Sequence, residues 1–207
     1  SAHSSYVLAK DRFSNFRLPS EVMESVTWID ENLEKDAVIL TPSLYMNSLF
    51  LYYTRLKIFL PEASGTWANE DEMLERLYII YKLFDIPTIY LERSLSVEGL
   101  KAFEEGARAP TDRNLFDYLY FQQFYSQDFD VYLSGAAAHR NIPKYVIDKI
   151  INNYKNYKLN RVDEKYRADY IYVGILEKKI SSKDFGRMSE LSKIYDKNGI
   201  KIYKINH

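Results

Sequence analysis

Ala37-Val38-Ile39-Leu40, halted by Thr41-Pro42, sets the architecture of this chain. A short apolar run with no polar alternation and two β-branched members reads as a strand buried on both faces, as in parallel sheets. Before it, Val22, Val26, Ile29 and Leu33 recur at spacings of four, three and four, the apolar stripe of one helix. Pro19-Ser20-Glu21 opens that helix, with Ser20 as the expected N-cap and Glu21 suited to its positive end. Glu34-Lys35-Asp36 then turns the chain into the strand.

The same grammar repeats along the chain. Residues 43–54 read as a helix, and Lys57-Ile58-Phe59-Leu60 before Pro61 as a second strand. Asn69 caps a helix from Glu70 to Phe84, ended by Pro87, and Thr88-Ile89-Tyr90-Leu91 is expected as a further strand. From Ser94 to Gln127 the pattern is helical, Phe129–Leu133 alternates as a strand, and Pro143 starts a helix through Tyr157. Asp169-Tyr170-Ile171-Tyr172-Val173-Gly174 is the clearest strand. Asn198-Gly199, between Lys193-Ile194-Tyr195 and Ile200–Tyr203, is a strong hairpin signal. Together these predict an α/β fold: three-layer, a mostly parallel sheet covered by helices on both faces, with a C-terminal antiparallel hairpin. The strands at 37–40, 57–60, 129–133 and 170–173 should share that sheet, with Trp28 and Tyr170 buried. A polar arm at 1–18 precedes a single domain at 19–207, which carries a helical insertion at about 94–127.

Composition narrows the chemistry. The 207 residues contain no cysteine, which excludes thiolate metal sites, thiol nucleophiles and disulfides. Charge is balanced at 28 Lys+Arg against 29 Asp+Glu, so no nucleic-acid partner is expected. With only 7 glycines, neither GxGxxG nor GxxxxGK[ST] appears, and no cofactor is implied. The apolar stretches Leu44–Tyr53 and Leu77–Phe84 fall short of the ~18 to 20 residues of a membrane span. The start Ser1-Ala2-His3-Ser4 lacks a Met and reads as a processed end or as a boundary cut from something longer. The 19 tyrosines suit either half-buried core positions, rings inside and hydroxyls wet, or a sugar-facing surface.

No catalytic motif stands out. Histidine occurs only at 3, 139 and 207, and no GxSxG elbow accompanies His139. The paired acids read as solvated helix faces. In open α/β sheets, however, ligands bind beyond the carboxyl ends of the strands. Residues following the strands are Thr41 and Ser43; Glu62, Ser64 and Trp67; Ser134, Gly135, His139 and Arg140; and Gly174 with Glu177. From these, Ser43, Glu62, Trp67, Ser134, Gly135, His139, Arg140 and Glu177 form the candidate ligand-binding set. Ser134-Gly135 permits close backbone approach, Arg140 offers a fork for phosphate or carboxylate, and Trp67 a ring for stacking. The plainer alternative is that the small residues only permit a tight turn.

Three stretches carry a resemblance: Glu24–Thr41, Ala168–Glu177 and Ile194–Tyr203. In this order they resemble the C-terminal extracytoplasmic domain of polytopic membrane proteins of the C-fold glycosyltransferase type, which use polyprenyl-phosphate-linked sugars. The resemblance implies an accessory domain at the extracytoplasmic face of the cell membrane. Its partners would be the membrane domain of its own parent chain and a glycan or polyprenyl-phosphate sugar. It transfers no catalytic residue, because the matching positions are fold-forming ones. Two other readings stand beside it: a free-standing glycan- or nucleotide-binding module, and a small hydrolase using Glu62 or a nearby acid.

Overall fold

The structure is a computed structural model that describes residues 19–62, 65–95, 115, 119, 144–159 and 165–206. Its sheet is built from β1 (Val38–Leu40), β2 (Lys57–Ile58), β3 (Tyr170–Val173), β4 (Leu191–Lys197) and β5 (Ile200–Ile205). In space the order is β2-β1-β3-β5-β4. β1 pairs in parallel with β2 and β3, whereas β5 runs antiparallel to both β3 and β4. The sheet is therefore mixed, not mostly parallel. The terminal hairpin lays its second strand directly along β3 and contributes two antiparallel pairings.

The helices are α1 (Ser20–Asn32), α2 (Leu44–Tyr53), α3 (Glu70–Leu83), α4 (Thr88–Leu95), α5 (Lys144–Asn156) and α6 (Glu177–Ile180). Strand side chains alternate between two apolar clusters, as the pleat requires. Ile39, Tyr170, Tyr172, Ile200 and Ile202 join Val22, Val26 and Ile29 of α1 and Met46, Leu49 and Phe50 of α2. Leu40, Ile171, Val173, Tyr203 and Ile205 join Leu74, Leu77 and Ile80 of α3 together with Leu91, Ile150 and Tyr154. Burial on both sides is why β1 and β3 read as unbroken apolar runs. Among the described residues, Tyr78, Tyr81, Tyr154, Tyr170, Tyr172 and Tyr203 are buried, and some of their hydroxyls bond inside the fold. Tyr154 donates to the Ile86 carbonyl at 2.6 Å, and Tyr172 meets Ser25 Oγ at 3.2 Å.

Local chemistry explains most boundaries. Asn69 accepts from the Glu72 amide at 2.9 Å and caps α3 as expected. Asn198 and Gly199 have φ of 52° and 77°, the paired positive values of a type I′ turn. Asp169 clamps β3 to β1: its carboxylate accepts from the Val38 amide at 2.7 Å, and its own amide donates to the Val38 carbonyl at 2.9 Å.

Three expectations change. Pro19, not Ser20, caps α1, because its carbonyl already takes the Val22 amide at 3.0 Å; Ser20 is helical and donates to Glu21. Thr88-Ile89-Tyr90-Leu91 is helical rather than a strand. The Pro87 carbonyl accepts from the Tyr90 amide, and Leu91 and Leu95, one turn apart, are both buried while Ile89 faces out. Trp28 is half-buried, its ring 4.9 Å from that of Tyr195 on β4, whereas Tyr170 is buried. The expected strand at 129–133, the arm at 1–18 and most of the 94–127 insertion lie outside the described residues. Leu115 and Leu119, one helical turn apart, are buried with α3 and α5.

Candidate functional site

Beyond the carboxyl ends of β1 and β3, four of the strand-end residues come together. Glu177, at the start of α6, is fully enclosed, with 0% exposure. Thr41 Oγ1 donates to Glu177 Oε1 at 2.6 Å, and the Gly174 amide donates to Glu177 Oε2 at 2.9 Å. Thr41 Oγ1 in turn accepts from the Ser43 amide at 3.2 Å. Ser43 Oγ accepts from the Met46 amide at 3.2 Å, so its hydroxyl is spent as the N-cap of α2. Gly174 is sterically required: a Cβ there would lie 2.7 Å from the Tyr172 ring and 3.0 Å from Glu177 Oε2. Burial pushes the Glu177 carboxyl up to about 6, against the downward pull of its hydrogen bonds. The carboxyl thus touches only its own fold.

The other candidates are placed differently. Glu62 is half-buried just past β2. Trp67 projects from the loop before α3 at 103% exposure, its ring free to stack. Ser134, Gly135, His139 and Arg140 lie outside the described residues. Among the described residues no three His, Asp or Glu side chains converge as a metal site needs.

On the opposite face of β3 the strand end is open. A cavity of about 290 Å³ is lined by Val173, Lys178, Lys183, Phe185, Lys201 and Tyr203, with Ser181, Ser182 and Asp184 along one wall. The hairpin register builds it. Val173 pairs with Lys201 and Ile171 with Tyr203, so Lys201 and Tyr203 project from one face of β5. The segment after α6 forms the wall, held by Ser181 Oγ donating to the Phe84 carbonyl and accepting from the Lys183 amide at 3.1 Å. Sequence reasoning stopped at Glu177 and missed this set. The available signal was the polar run Ser181-Ser182-Lys183-Asp184 after β3, read with the register that the Asn-Gly turn imposes.

Compared with protein families, curated proteins and solved structures, the chain matches none. No helix among the described residues is long and apolar enough to cross a membrane.

Proposed function

We propose that this chain is an accessory domain of a polytopic membrane protein resembling the C-fold glycosyltransferases. In this reading it sits at the extracytoplasmic face, docks on the membrane part of its parent chain, and scaffolds or assists binding of a glycan or polyprenyl-phosphate sugar. It is not catalytic alone. The observation that carries the proposal is spatial. The three stretches bearing the resemblance fold side by side, as α1 with β1, β3 with α6, and the β4–β5 hairpin. At the centre of that unit, Thr41, Gly174 and Glu177 bond to one another, a fold-forming use of strand-end polar groups. Exposed Leu51, Tyr52 and Tyr53 at the end of α2, and Trp67, offer apolar and aromatic surface for docking.

The test is a turnover assay of the full chain with polyprenyl-phosphate and nucleotide sugar donors, together with the reading frame upstream of Ser1. The expected result is no transfer, and several upstream apolar spans of roughly 18 to 25 residues. Robust transfer by the chain alone, or an upstream frame without apolar spans, would overturn the proposal. Saturable glycan binding lost in Trp67→Ala, with no upstream spans, would favour a free-standing glycan-binding module.

A further inference from the structure

The open end of β3 has the charge and the donors of an oxyanion site. Around it, each acid already has its own cation. Asp184 pairs with Arg187 at 3.1 Å, Asp85 with Lys183 at 2.9 Å, and Asp196 with Lys193 at 2.5 Å. Two cations have no ion-pair partner of their own among the described residues. The Lys178 ammonium donates to the neutral Gly199 carbonyl, and the Lys201 ammonium makes no hydrogen bond among those residues; both feel the charge of Asp196, which lies opposite Lys201 on β4 but is bonded to Lys193. Two hydroxyls are uncommitted as well. Ser182 Oγ is exposed on the wall, and Tyr203, whose residue is only 2% exposed, has a hydroxyl without a hydrogen-bond partner among the described residues. Burial raises the Tyr203 phenol above its ordinary value, so it stays protonated and can donate at neutral pH.

We propose that this cavity binds a phosphate monoester, with Lys201 and Lys178 supplying the charge and the Ser182 and Tyr203 hydroxyls donating to its oxygens. A phosphate offers three acceptor oxygens and nearly two negative charges at neutral pH, which matches two cations without an ion-pair partner and two hydroxyl donors better than a carboxylate does. The 290 Å³ volume lies at the lower edge of the roughly 300 to 1,000 Å³ of small-molecule sites, which suits a phosphorylated headgroup or small ester and excludes a dinucleotide. The inference stands independently of the proposed membrane parent.

The test is a ¹H–¹⁵N NMR titration of the full chain with inorganic phosphate and with glycerol 3-phosphate, against chloride at equal ionic strength. A parallel arm measures flotation with phosphatidic acid vesicles against phosphatidylcholine vesicles. Phosphate-specific shifts are expected at Val173, Ser181–Asp184 and Lys201–Tyr203. Lys201→Ala should weaken binding about tenfold and Tyr203→Phe, which keeps the buried ring, about threefold. Binding in the soluble arm identifies a free ester as the source. Binding only to phosphatidic acid vesicles, lost in Lys201→Ala, identifies a lipid headgroup. No shift with either phosphate and no vesicle binding, shifts reproduced by chloride, or binding unchanged in Lys201→Ala would overturn the proposal.

Discussion

The two sides of β3 finish in opposite ways. On the side of Tyr172, the strand end is sealed: Gly174 brings the chain against the ring, Glu177 closes over it, and each carboxylate oxygen has a donor. On the side of Val173, one residue later and one pleat over, the strand end opens into the cavity between Lys201, Tyr203 and the Ser181–Phe185 wall. Position at the carboxyl end of a strand is therefore not enough to make a ligand site. What separates the two is commitment: polar groups already bonded to one another hold the fold, and uncommitted ones are left for something else.

The sharpest way to break this contrast is to attack the sealed side. Tyr172 is completely buried, 5.1 Å edge-on to Phe50, and its hydroxyl meets Ser25. Tyr172→Ala should cost about 3 to 5 kcal/mol, the range for large buried aromatics, read as a lower urea midpoint. A loss below about 1 kcal/mol would mean that side is not sealed.

A smaller effect sharpens the role of Glu177. Its folded value of about 6 lies above its ordinary 4.5, so between these pH values the folded chain holds more protons than the unfolded one. Its contribution is fully present below about pH 4.5 and is lost as pH rises to about 6, a change of about 2 kcal/mol. Glu177→Gln should abolish that dependence. The stability of the parent chain relative to the variant should then fall by about 2 kcal/mol across this window. A difference that stays flat with pH would remove Glu177 from the seal.

The smallest effect belongs to the open side. Lys201→Ala should shift stability by no more than about 0.5 kcal/mol, because its ammonium makes no ion pair among the described residues. A larger loss in a thermal melt would show that the cavity wall, too, is structural.

The same distinction explains what could be read in the sequence. β1, β3 and the hairpin were legible because burial on two faces and the Asn-Gly turn leave unambiguous local marks. Residues 88–95 were not: Thr88-Ile89-Tyr90 favours a strand over three residues, and the Leu91–Leu95 spacing that makes a helix lies past the end of that run. The mixed sheet escaped because which strand lies beside β3 is a tertiary choice. Among site residues, a serine before a helix looks the same whether it caps or binds, and Ser43 caps. The cavity escaped because its two halves, Val173–Phe185 and Lys201–Tyr203, meet only through the strand register.

The clamp between Asp169 and Val38 joins positions 131 residues apart, and it holds β3 in the middle of the sheet. On a ribosome, β1 and β2 therefore emerge long before the strand that completes them. Until residues 170–173 arrive, the free side of β1 is an apolar ribbon with unsatisfied amides and carbonyls, the kind of edge that recruits strands from other chains. High sequence separation at the centre of the sheet also makes closure slow. The nascent chain must shield that edge while the 131 residues that separate Val38 from Asp169 are made, so its yield in a cell should depend on chaperone supply more steeply than its final stability would suggest.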